Sequence, residues 1–349
     1  MRQRRWLLIL AATGLAAGCG SDSGTGPEAS PSVSSRRVAL TDMGSANYLG
    51  FSGGLYTGGN AIPAAHAAAG RIKAAAIEPL DREGRPRSDG AYVLLSVGMS
   101  NTTQEFCSGG SAPPCAPWSF TGQAVADPEV DQSRLAIVNG AAGGKTSVFW
   151  DAPDDQDYDR VRDTRLAPQG LAEKQVQVAW VKLANPQPRV SLPSAQADAY
   201  TMVAQMGDVV RALKVRYPNL RQIFLSSRIY GGYASTDLNP EPYAYESGLA
   251  VRWLIEAQIR QMATAGRPAD ARAGDLNYET VAPWIAWGPY LWADGLNARS
   301  DGLVWERGDF VSDGTHPSTS GETKVGGMLL AFFKQSPQTR CWFVVGGRC

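Results

Sequence analysis

Histidine is nearly absent from this chain: 349 residues hold only two, His66 and His316. That scarcity narrows the search for a general base, because imidazole is the side chain whose ordinary pKa suits proton exchange near neutrality. Net charge is absent too, with 33 Lys and Arg against 33 Asp and Glu. No basic block occurs beyond Arg2, Arg4 and Arg5. Nucleic acid needs a concentrated positive face, so no such partner is expected. The apolar run from Trp6 to Ala17 is twelve residues long, too short to span a bilayer. Cysteine numbers five, with no CxxC spacing and no neighbouring histidine, so no metal site is expected.

What is present at the N-terminus has the layout of a secretory signal peptide over residues 1–18: arginines, an apolar run, then small residues. Leu15-Ala16-Ala17-Gly18-Cys19 looks like a bacterial lipobox, which makes Cys19 the expected lipidated residue. Residues 20–35 are mostly Ser, Gly, Pro and Ala with hardly an apolar side chain, and 19–37 read as a flexible tether. Gly20 follows the cysteine where an aspartate would mark inner-membrane retention, so an outer-membrane or cell-surface anchor is expected. The membrane is then a partner only through that lipid. Four cysteines remain in an exported chain: Cys107, Cys115, Cys341 and Cys349. An even number points to disulfides, and four cysteines allow three pairings that sequence alone does not choose between. Local pairing is expected, because each couple encloses a short Gly- or Pro-bearing loop.

Residues 38–349 are enough for one α/β domain. Apolar runs at 91–97, 135–138, 176–181 and 222–226 read as buried strands, with a fifth around 282–287. Helices fall between them. Val203, Met206, Val210 and Leu213 recur at helical spacing before Pro218, and residues 241–265 carry a second apolar stripe. Thr319 and Glu322 form a capping-box pattern at the start of a last helix. This alternation predicts a three-layer α/β/α domain, with a parallel sheet whose active site lies beyond the carboxyl ends of its strands.

The residues with chemistry sit at those ends. Ser100 follows the first strand, Asn139 through Gly144 the second and Asn185 the third, while Asp313 and His316 precede the last helix. An alcohol is inert near neutrality unless a base takes its proton, and a carboxylate three residues before His316 would fix its tautomer. In this order the blocks resemble the SGNH/GDSL hydrolase superfamily over roughly residues 90–320. Gly98-Met99-Ser100 stands where that family has Gly-Asp-Ser. Asn139-Gly140-Ala141-Ala142-Gly143-Gly144 matches its Asn-rich turn. Asn185 alone survives from its third block, flanked by Leu183 and Pro186 instead of Gly and Asp. Asp313-Gly314-Thr315-His316-Pro317 matches its last block.

The resemblance implies a flavodoxin-like fold and a serine esterase without a cofactor. Ser100 would be the nucleophile, His316 the base and Asp313 its orienting acid. The Ser100 amide, the Gly144 amide and the Asn185 side chain would form an oxyanion hole. Met99, in place of an aspartate, would alter loop support more than chemistry. Substrates would be small-molecule or glycan esters, with carbohydrate O-deacetylation the preferred expectation by analogy. The competing expectation is an inactive surface lipoprotein of the same fold that binds carbohydrate or a partner.

Other features carry plainer readings. His66 reads as a packed or substrate-lining histidine. Asp309 competes with Asp313 for the acid role, and spacing favours Asp313. Gly144-Lys145-Thr146 imitates the tail of a phosphate loop, but the first required glycine falls on Asn139. Lys145 and Lys182 therefore read as solvated or loop-supporting. Trp284, Trp287, Tyr290 and Trp292 are either a core cluster or a rim on which sugars would stack. Segments 101–134 and 186–196 are expected to shape the pocket.

Overall fold

The structure, a computed structural model, describes residues 37–109 and 114–349. The expected signal peptide, Cys19 and the tether up to residue 36 lie outside the described residues. Five strands form one parallel sheet: β1 (Tyr92–Gly98), β2 (Leu135–Asn139), β3 (Val176–Lys182), β4 (Gln222–Leu225) and β5 (Trp284–Trp287). Their order is β2-β1-β3-β4-β5, with β1 inside the sheet at the point where the winding reverses.

Successive residues of a strand point to opposite faces, and β1 divides its side chains accordingly. Val93, Leu95 and Val97 join one apolar cluster with α4 (Asp198–Arg216) and α5 (Tyr243–Ala263). Tyr92 and Leu94 join the other, with α2 (Ser100–Phe106), α3 (Phe120–Ala126) and α6 (Thr319–Gln335). Every residue of β1 and β3 is buried, as a sheet covered on both faces requires. The architecture is the predicted three-layer α/β/α domain.

Local chemistry sets the helix limits. Met202, Val203, Met206, Val210 and Leu213 bury one stripe of α4, and the helix ends at Arg216, two residues before Pro218. The capping box at α6 does not form. Ser318 occupies the N-cap position without a side-chain cap bond, which moves Glu322 one residue too far along to reach back. Its carboxylate instead accepts Trp118 Nε1 at 2.6 Å. Disulfides join Cys107 to Cys115 and Cys341 to Cys349, the local pairing expected. Among the described residues no helix is long and apolar enough to cross a membrane.

Candidate active site

Ser100 opens α2 immediately beyond β1. The turn needs Gly98, whose φ is +156° and where a Cβ would collide with the Lys182 carbonyl and the Thr102 side chain. The three residues after Ser100 each grip a different segment around the site. Asn101 Nδ2 donates to the Thr315 carbonyl at 2.9 Å, Thr102 Oγ1 to the Lys182 carbonyl at 2.7 Å, and Thr103 Oγ1 to the Ala141 carbonyl at 3.0 Å. Asn139 braces the same corner. Ser96 Oγ donates to its Oδ1 at 2.7 Å, and its Nδ2 donates to Thr103 Oγ1 at 2.7 Å.

His316 sits in a turn built on Asp313. One carboxylate oxygen accepts the amides of Thr315 and His316 at 2.8 and 3.0 Å, and the other lies 2.6 Å from His316 Nδ1. Gly314 makes the turn possible: its φ is +66°, and the Tyr233 carbonyl fills the place of a Cβ. Burial pushes the Asp313 carboxyl up, but the His316 amide, the His316 ring and the Thr315 amide outweigh it and hold the group below its ordinary range. With Nδ1–H donating to Asp313, Nε2 is left as an acceptor. It lies 2.7 Å from Ser100 Oγ, and the three side chains form a continuous relay.

These groups face a cavity of about 370 Å³ that Gly144 and Asn185 also line. Gly144, at φ +74°, sits in open space with its amide uncommitted to any backbone carbonyl among the described residues. Asn185 departs from expectation. Its Nδ2 already donates to the Asp198 carbonyl at 2.6 Å, and its Oδ1 is buried without a partner. Only its second N–H remains for an oxyanion.

The plainer readings resolve as follows. His66 is packed: its ring stacks on Trp284 with centroids 4.9 Å apart, and Nε2 donates to the Ile285 carbonyl at 2.9 Å. Trp284, Trp287, Tyr290 and Trp292 are all buried, so they form core and no sugar-stacking rim. Asp309 is occupied by Lys324, Ser320 and the Glu306 amide. Lys145 pairs with Asp157 at 2.9 Å and lies over Phe149. Lys182 corrects the sequence reading: it is fully buried, paired with the equally buried Glu105 of α2. The pocket segments are corrected too. Among the described residues, only Asn101 of 101–134 and only Pro186 of 186–196 line the cavity; Arg228, Leu238 and Asn239, from the loop after β4, line it instead.

No family model and no curated protein sequence matches the chain. Solved structures do. A Bacillus subtilis protein matches with 10% identity and a TM-score of 0.36, over 72% of this chain and 59% of its own. An extracellular lipase of Streptomyces rimosus matches with 13% identity and a TM-score of 0.33, over 69% and 100%. A GDSL-like lipase of Bacteroides thetaiotaomicron matches with 11% identity and a TM-score of 0.34, over 78% and 98%. GDSL-like lipases and esterases are thus among the structures this chain is similar to. The similarity is too remote to assign chemistry, which rests on the side chains themselves.

Three contributors were missed by sequence reasoning: the Asn101-Thr102-Thr103 tethers, the Glu105–Lys182 pair and Arg228. A short helix with six polar residues, Ser100 to Glu105, before its one apolar residue Phe106 was the available signal for the first. The other two had none, since a lone Lys or Arg in sequence reads as solvated.

Proposed function

We propose that the protein is a serine esterase in which Ser100 is the nucleophile, His316 the general base and Asp313 the group that orients it. The observation that carries this reading is the relay of 2.7 and 2.6 Å from Ser100 Oγ through the imidazole to Asp313. Ser100 Oγ would add to the ester carbonyl carbon as its proton passes to His316 Nε2. The oxyanion would meet the amides of Ser100 and Gly144 and the free N–H of Asn185. Collapse breaks the acyl–oxygen bond, and His316 returns the proton to the leaving alcohol. Water then adds to the acyl group, its proton again passing to His316 Nε2, and the acid leaves as Ser100 recovers that proton.

A cavity of about 370 Å³ suits a small ester, an O-acetylated sugar included. The reading extends to an exported protein anchored through lipid on Cys19 to an outer membrane or cell surface. The Leu15–Cys19 segment and the two disulfides support that part.

Labelling of the purified protein by a fluorophosphonate probe tests the chemistry. Wild type should label, while Ser100→Ala should not and His316→Ala should label at least about 10³-fold more slowly. A folded wild type that takes no label sinks the proposal.

A further inference from the structure

The cavity wall holds a cation that the relay does not use. Arg228 is 2% exposed, yet it lines the same cavity as Ser100 and His316. The carboxylates whose fields reach it are Glu105, Glu241 and Asp313, and each is engaged elsewhere. Lys182 pairs with Glu105, Arg37 lies 3.6 Å from Glu241, and Asp313 serves the His316 turn. Arg228 makes no ion pair among the described residues. Its Nε is buried without a partner, and its side-chain hydrogen bond, from Nη2 to the Thr315 carbonyl, is long at 3.4 Å. A guanidinium withdrawn from water is costly unless an anion or acceptor meets its open N–H groups.

We propose that Arg228 is an anion-recognition residue of the cavity and that the substrates are esters carrying a carboxylate. This rests on the serine-esterase reading and adds to it the class of molecule accepted. A carboxylate would take charge-assisted hydrogen bonds from the guanidinium, roughly twice as strong as neutral ones, while the ester carbonyl lies at Ser100. A purely aliphatic or neutral aryl ester would leave the open N–H groups buried and unmet, which is how a polar site rejects an analogue lacking its partner.

The test uses two matched substrate pairs on the full chain, with fluorophosphonate labelling alongside. On the acyl side, mono(4-nitrophenyl) glutarate is compared with 4-nitrophenyl valerate. On the alcohol side, 4-acetoxybenzoate is compared with its methyl ester. In at least one pair the carboxylate form should show a kcat/KM higher by about ten-fold or more, expressed mainly in KM. Arg228→Gln should reduce that ratio at least several-fold, and Arg228→Lys should retain part of it. If Arg228→Gln does not fold, the wild-type ratios decide. A wild type that labels but falls short of the expected ratio in both pairs, or a folded Arg228→Gln that keeps the wild-type ratio, overturns the role of Arg228 and leaves the esterase reading standing. Failure to label overturns both.

Discussion

Asn101, the residue after Ser100, donates its side-chain amide to the carbonyl of Thr315, the residue before His316, at 2.9 Å. The two halves of the relay are therefore tied one residue away from their reacting atoms, across 214 positions of sequence. Arg228 Nη2 donates to the same carbonyl at 3.4 Å. The Ser100–His316 distance is thus set by a bond outside the relay.

Asn101→Ala should release that tie. The Thr315 carbonyl would keep only its long bond from Arg228, at a cost of about 1 kcal/mol, and misplacement of the imidazole should lower kcat by about ten-fold or more with little change in KM. Thermal unfolding and steady-state kinetics on a neutral aryl ester check both. A kcat within two-fold of wild type, on the order of measurement scatter, would show that the tie is dispensable.

Gly314→Ala should fail more severely. The left-handed conformation costs about 1–2 kcal/mol for a residue with a Cβ, and the Tyr233 carbonyl stands where that atom would go. The Asp313–His316 turn must shift to admit it. Fluorophosphonate labelling should slow at least about 10²-fold while circular dichroism stays close to wild type.

His66 gives a pH dependence unrelated to catalysis. Burial depresses its pKa from 6.5 to about 4, against a smaller opposing effect of the Ile285 carbonyl. The unfolded chain takes up the proton first, so this stability is fully present above about pH 6.5 and is lost as pH falls toward 4. The difference corresponds to roughly 3 kcal/mol. Urea unfolding of wild type and His66→Gln between pH 7 and 4 should show a steeper loss in wild type. Parallel curves would remove His66 as the cause.

The buried Glu105–Lys182 pair should respond asymmetrically. Lys182→Met leaves a carboxylate buried without its cation, at a cost of about 3–5 kcal/mol. Glu105→Gln combined with Lys182→Met removes both charges and should recover most of that loss. Urea midpoints of the two variants decide the matter, and equal midpoints would show that the pair is not coupled.

Much of this was legible before any coordinates. Strands covered on both faces lack polar alternation, so the runs around Leu94 and Val178 stood out from their surroundings. The ends of those runs then located Ser100 and Asn185, and the scarcity of histidine singled out His316. Long-range partnership was not legible. Nothing local separates Lys182, deep beneath the sheet edge, from Lys145 near the surface. Nothing local shows that Asn185 spends an N–H on the Asp198 carbonyl. The Trp284–Trp292 aromatics were readable as core or rim, and only their covering by α1 (Ala64–Ala75) and neighbouring segments decides. The capping box at Thr319 failed for a reason of one residue, because Ser318 took the cap position first.

The separation of Ser100 from His316 by 216 residues also leaves the site open to silencing from one end. On the proposed chemistry, a chain cut anywhere between Ser100 and the Asp313 turn keeps its serine but loses both the base and the carboxylate that orients it. A single cleavage near the carboxyl end would therefore silence the site without touching its nucleophile.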